Sequence, residues 1–194
     1  PAPTWSPAGS ATWTAATPFD EECGRPGGLD ASLAGARAFT VGKDQVLDRY
    51  LESIDGGRSY FLASDIQEFE KYRYELDDAI TTGKLEPAFA IFNRFQQRNR
   101  ERMAYALKLL DTEPDFTLDE HFEFDREHAP WAKSSAELDE LWRKRVKNDA
   151  LSLMLTDKTW AETSDILKKR YDRVAKRSEQ ITADDVFENF MNAF

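Results

Sequence analysis

The apolar residues from Lys43 onward recur with the 3.6-residue period of α-helices, and this pattern favours a mainly α fold. The first apolar face is followed by Gly56 and Gly57, which are expected to close the first helix in left-handed conformations. That face consists of Val46, Leu47, Tyr50, Leu51 and Ile54. The sequence therefore predicts an irregular multi-helix domain that begins near residue 43.

Capping signals divide the rest of this region into further helices. A Ser or Thr followed three residues later by Glu or Gln is typical of a helix N-terminus, proline suits a first turn, and glycine suits a helix end. The predicted starts are Ser64 with Gln67, Pro87, Ser134 with Glu137, Thr159 with Glu162, and Thr182, and Gly83 is predicted to end the second helix.

One segment, near residues 115–125, has a different period. Phe116, Leu118, Phe122 and Phe124 alternate with polar residues, which predicts a short extended or β segment. The opposite face would carry His121 and several carboxylates. A metal site and the solvated face of a half-buried strand both fit this pattern, and the second is favoured. We predict no metal or cofactor.

Residues 1–42 have a different composition from the rest of the chain. They contain five of the 8 prolines and six of the 9 glycines but only six charged residues, whereas residues 43–194 carry 56 of the 62 charges. Pro and Gly break helices and open the chain. We predict a mostly irregular segment here, with a short helix within Leu29–Phe39.

Charge and cysteine content exclude several classes of function. The chain has 26 basic and 36 acidic residues, a net charge of −10, which disfavours binding to nucleic acid because phosphates require a cationic face. Cys23 is the single cysteine, so no intrachain disulfide can form. We predict no transmembrane segment, and no signal peptide is visible in the sequence.

No motif predicts catalysis in this chain. A nucleophile elbow, a phosphate-binding glycine loop and an H-E-x-x-H motif are all missing, so no catalytic residue is predicted. Basic residues at helical spacing are the candidates for a partner interface, although an exposed, salt-bridged helix face gives the same pattern and is favoured. The candidate interface residues are Arg94, Arg98, Arg102, Lys169, Arg173, Arg177, Phe190 and Phe194.

The last predicted helix is apolar up to the end of the chain, which is expected of a fragment of a longer protein. Its face comprises Val186, Phe187, Phe190, Met191 and Phe194. This helix would either fold back onto its own domain or pair with the same helix of a second copy, and folding back is favoured.

Several separated blocks resemble the N-terminal domain of the tail-specific proteases, also called C-terminal processing proteases. The blocks are LDRYLESIDGGRSYFLASD (Leu47–Asp65), GKLEPAF (Gly83–Phe89), APWAKSSAELDELWRKRVKND (Ala129–Asp149), LSLMLTDKT (Leu151–Thr159), KRYDRVAKR (Lys169–Arg177) and DDVFENFMNAF (Asp184–Phe194). The resemblance covers residues 43–194 and leaves residues 1–42 unmatched.

This resemblance implies a non-catalytic helical domain of a serine endopeptidase in the periplasm of Gram-negative bacteria. In the family such a domain precedes a PDZ domain and a protease domain with a Ser–Lys dyad, and the substrates are proteins with apolar, unstructured C-termini. A lipoprotein adaptor is a further implied partner. Because no dyad position lies in this chain, we expect it to be inactive alone. The alternative is a stand-alone helical protein-binding module.

Overall fold

The computed structural model describes residues 45–194, apart from the side chains of Asp77, Ile80 and Thr81. The described part is mainly α-helical, as the period predicts. It contains α1 (Val46–Asp55), α2 (Ala63–Phe69), a 3-10 turn (Glu70–Tyr72), α3 (Arg73–Thr82), α4 (Glu86–Leu109), α5 (Ser135–Met154), α6 (Trp160–Glu179) and α7 (Ala183–Met191). The predictions for residues 1–42, including Cys23, lie outside the described residues.

Most of the predicted helix ends are confirmed. Ser134, Thr159 and Thr182 cap α5, α6 and α7, and each hydroxyl accepts a hydrogen bond from the backbone N–H three residues later. Pro87 lies in the first turn of α4, and Gly83 ends α3 with a φ of 70°. Local side-chain chemistry therefore determines these boundaries.

Two local predictions are wrong. Ser64 does not cap α2, because the helix already begins at Ala63 and the carboxylate of Asp65 accepts a hydrogen bond of 3.0 Å from the N–H of Leu62. After α1, Gly56 keeps a right-handed φ of −57°, and the left-handed residue is Arg58 with a φ of 46°. Long-range contacts of Arg58, described below, hold it in this uncommon conformation.

The segment 115–125 is non-helical as predicted, but it does not form a strand. Within residues 45–194 the β pairing is limited to an isolated parallel bridge between Leu62 and Ala132. Leu118 is 55% exposed and Phe124 is 76% exposed, whereas Phe116 and Phe122 are half-buried, so the alternating face is only partly covered. Turns and bends interrupt the segment at residues 116–118 and 124, so the alternation correctly excluded a helix but did not indicate a strand.

Two hydrophobic clusters form the core, and α4 contributes to both. The first cluster joins α1, α2, α3 and α7 to Ile91 in the first half of α4. The second joins α5 and α6 to Met103 and Ala106 in the second half. Since α4 has 24 residues, it is long enough to pass from one cluster into the other.

The terminal helix α7 folds back onto its own domain. Phe190 is fully buried in the first cluster, where its ring meets the edge of Tyr50 with centroids 5.3 Å apart. Val186 and Ala193 are buried on the same side, whereas Phe187 is 44% exposed. Apolar burial of this kind stabilises a helix of nine residues that is too short to be stable alone.

Candidate functional site

Two arginines of the predicted basic stripe on α4 take part in an internal ion-pair network. Arg98 donates from Nε and Nη2 to the two carboxylate oxygens of Asp65, at 2.9 and 3.0 Å, and Arg94 donates to the same carboxylate. Asp65 is only 1% exposed. Each arginine also has a second partner, Glu68 for Arg94 and Glu101 for Arg98. The network ties α2 to α4.

Burial alone would raise the pKa of Asp65, but its hydrogen bonds outweigh that effect. Donation from Arg98, from the N–H of Leu62 and from Arg94 stabilises the carboxylate and holds its pKa below the usual range. Asp65 is therefore ionised near neutral pH, and it fixes the two guanidinium groups by charge-assisted hydrogen bonds.

The third arginine of this stripe is also engaged within the domain. Arg102 is 8% exposed, pairs with Asp139 of α5 and lies over the ring of Tyr105. Docking through Arg94, Arg98 or Arg102 stays a prediction, but their charges already have carboxylate partners inside the domain.

The predicted stripe on α6 faces solvent. Lys169 pairs with Asp165, and both side chains are more than 60% exposed. Arg173 and Arg177 are exposed, and neither forms an ion pair with a described residue. Binding of a partner by this stripe stays a prediction. The two phenylalanines proposed with it differ, because Phe190 is buried and Phe194 is half-buried against the first cluster.

The turn after α1 is held by Asp55 from one side and by Trp142 from the other, and we call this arrangement the clamp at Asp55; it was not predicted from the sequence. The Asp55 carboxylate is 3% exposed and accepts hydrogen bonds from the backbone N–H groups of Ser59, Tyr60 and Phe61 at 2.8 to 2.9 Å. Burial raises its pKa, and these three donors together with the charge of Arg145 oppose the rise. An Asp directly before Gly56 and Gly57 was the signal that could have indicated such a turn.

The other side of this turn is held by α5 and by the segment that precedes it. Trp142 is buried and donates from Nε1 to the carbonyl of Ser59 at 2.7 Å. Arg58 donates to the carbonyl of Ala129 and lies over the ring of Trp131, 5.2 Å from the ring centre. The block Leu47–Asp65 thus meets the block Ala129–Asp149 through backbone and aromatic contacts.

A carboxylate also anchors the irregular segment between α4 and α5. Glu120 pairs with Arg143 and Lys147 of α5, and Lys147 donates to the carbonyl of Leu118 as well. Hydrogen bonds from Arg143 and Lys147 lower the pKa of Glu120 to about 2. The segment is thereby fastened across α5.

A groove of about 540 Å³ opens between this segment and the first half of α5. Its apolar lining includes Phe122, Trp131 and Leu141, and its polar lining contains basic and acidic side chains. The basic ones are Arg126, Lys133 and Lys144, with His121, and the acidic ones are Glu123, Glu137 and Glu140. This groove combines an aromatic lining with charged side chains of both signs.

Potential metal ligands do not cluster in the part of the chain that the structure describes. In residues 45–194 no three His, Cys, Asp or Glu side chains converge in a way that could hold a metal ion, and His121 is exposed. In the same range no helix is long and apolar enough to cross a membrane.

These features define an all-helical domain that is braced by buried carboxylates and has an open groove on one side. A family model described as the tail-specific protease N-terminal domain matches residues 42–194. The tail-specific protease of Haemophilus influenzae is 41% identical over 152 residues, which are 78% of this chain and 22% of that protein. The chain belongs to the tail-specific protease family, and it spans about a fifth of the length of this curated relative.

Proposed function

We propose that this chain is the non-catalytic N-terminal domain of a periplasmic serine endopeptidase that degrades or trims proteins from their C-termini. The observation that carries the proposal is the match of residues 42–194 to the N-terminal domain of the family. The match covers 22% of the length of the Haemophilus influenzae protein. For the whole protease to which this chain belongs, we propose a PDZ domain and a Ser–Lys protease domain in addition to this domain.

The proposed role of the domain is to scaffold the protease and to dock its partners. Buried ion pairs and the clamp at Asp55 tie α1, α2, α4 and α5 together, which suits a body that holds other domains in place. The proposed partners are the PDZ and protease domains, protein substrates and a lipoprotein adaptor.

A chimeric enzyme tests this proposal. Residues 42–194 of this chain would replace the matching region of the Haemophilus influenzae protein, and cleavage of an unfolded protein substrate would be measured. We expect the chimera to retain activity within about tenfold, which corresponds to about 1.4 kcal/mol of transition-state stabilisation. The same chimera with Trp142→Ala should lose activity, because that substitution removes a fully buried side chain from the second cluster.

Two controls decide between the proposal and the alternative of a stand-alone binding module. The 194-residue chain alone should not cleave the substrate. If this chain did cleave the substrate, and if mutation of one of its own serines abolished the cleavage, a non-catalytic role would be refuted. If the Haemophilus influenzae protein kept full activity after deletion of the region that matches residues 42–194, the scaffolding role would be refuted. The alternative of a stand-alone binding module would then be favoured.

A further inference from the structure

We propose that the groove between segment 121–133 and α5 binds an extended peptide in which an Asp or Glu side chain lies next to an apolar side chain. The carboxylate would be bound by Arg126 and the apolar side chain by the aromatic lining of the groove. The volume of about 540 Å³ is in the range of sites that hold a few side chains.

The first observation is an arginine without an acceptor. The Nε of Arg126 is buried, and it has no hydrogen-bond partner among the described residues. No carboxylate in residues 45–194 pairs with its guanidinium, in contrast to Arg94, Arg98 and Arg102. A planar guanidinium that lines a groove matches the two oxygens of a carboxylate.

The second observation concerns the acids around the groove, most of which are engaged elsewhere. Glu137 accepts a hydrogen bond of 2.7 Å from the backbone N–H of Lys133, and Glu140 is held by two hydrogen bonds from Arg143. The side-chain ammonium group of Lys133 forms no ion pair with a described residue, although its backbone N–H donates to Glu137. Lys144 pairs with Glu140 at 3.9 Å, so the Arg and Lys side chains of the lining that form no ion pair with a described residue are Arg126 and Lys133.

The third observation is a rigid aromatic surface. Trp131 is fixed from one side by the guanidinium of Arg58 at 5.2 Å and contacts the edge of Phe61, with ring centres 6.1 Å apart. Phe122 contributes a second ring and Leu141 an aliphatic side chain. Pre-formed aromatic surfaces bind apolar side chains with little loss of conformational entropy.

The three glutamates of the lining oppose a polyanion, so a nucleic acid or polyphosphate fits the groove less well than one carboxylate. The remaining free acid, Glu123, is exposed at the rim. A segment with a single acidic side chain beside Leu or Phe satisfies both the cationic and the apolar parts of the lining.

Isothermal titration of the 194-residue chain with two capped peptides tests the site. One peptide is acetyl-Gly-Glu-Leu-Phe-Gly-amide, and the second has Gln in place of Glu. We expect saturable binding of the first peptide and at least about tenfold weaker binding of the second. Arg126→Gln should weaken binding of the first peptide by a similar factor, and Lys133→Gln should weaken its binding by a smaller factor.

Arg173→Gln is the matched control, because it removes an exposed arginine of α6 that has no ion-pair partner in the described part of the chain. It should leave peptide binding unchanged. Equal affinity for the Glu and Gln peptides, or no saturable binding, would overturn the proposal. The comparison of the Glu and Gln peptides uses the unmodified chain, so it remains valid even if Arg126→Gln alters folding. Displacement of the peptide by millimolar inorganic phosphate would indicate an anion site instead.

The inference rests on the proposed function only for the source of the peptide, namely an unfolded segment of a protein substrate. Its failure is distinguishable from failure of that function, because the titration reports binding by this chain and the chimera reports cleavage by the relative.

Discussion

Asp65 of α2 and Arg98 of α4 form a two-pronged ion pair, in which Nε and Nη2 of the arginine reach the two oxygens of a carboxylate that is almost completely buried. The pair lies where the first family block meets the long helix. Its burial makes it more important for stability than the exposed pairs of α6, since water and salt screen a largely buried pair less.

Asp65→Ala should destabilise the domain by about 3 kcal/mol, because it leaves Arg94 and Arg98 without their shared buried partner. Denaturant unfolding followed by circular dichroism measures the change. Asp165→Ala is the control, since its pair with Lys169 is exposed, and the expected loss is under about 0.5 kcal/mol. Equal losses for the two variants would contradict the role of the Asp65 network.

Glu120→Gln should loosen the segment between α4 and α5 while leaving the core intact. The substitution removes the charge that attracts Arg143 and Lys147, so the amides of residues 116–124 should exchange faster and the melting temperature should change little. Glu127→Gln serves as control, because Glu127 is exposed and its carboxylate forms no ion pair with a described residue.

The same contact has a predictable pH dependence. The pKa of Glu120 is about 2 in the folded protein, below the ordinary value for Glu. A lowered pKa means that the contact stabilises the fold above the unfolded-state pKa and is lost as the pH falls towards 2. The protection of amides in the segment, measured relative to the intrinsic exchange rate at each pH, should therefore fall in acid in the wild-type chain, and the Glu120→Gln variant should show no such fall.

Trp142→Phe should cost about 1–3 kcal/mol, because the ring is largely kept but the buried carbonyl of Ser59 loses its donor. The free energy of unfolding reports this loss. Trp160→Phe is the comparison, since Trp160 is half-buried and makes no hydrogen bond from its ring in the described structure, and its expected cost is smaller. A smaller loss for Trp142→Phe than for Trp160→Phe would argue against the clamp.

Phe190→Ala should lower the free energy of unfolding by about 3–5 kcal/mol, as expected for a fully buried aromatic side chain. Phe187→Ala, on the exposed side of the same helix, should cost less than about 1 kcal/mol. Both variants should keep the solution mass of the parent chain. A halved mass for Phe190→Ala would mean that α7 pairs two copies.

Most helix starts and the fold class could be predicted from the sequence, because period and capping are local properties, whereas the predicted cap at Ser64 was wrong. Ser134, Thr159 and Thr182 each act within three residues of their own position. The clamp at Asp55 could not be predicted, because Trp142 reaches the Ser59 carbonyl from 83 positions away. The arginines of α4 were expected at a surface, since their spacing shows that they share a face and does not show that Asp65 lies opposite that face.

The shared helix α4 also sets the span over which the two clusters are joined. At about 1.5 Å per residue its 24 residues form a strut of about 36 Å. One half is embedded among α1, α3 and α7, and the other among α5 and α6. One continuous helix therefore supports both clusters, so the side of the domain that carries the groove and the side that carries α7 are joined by the same 24-residue helix.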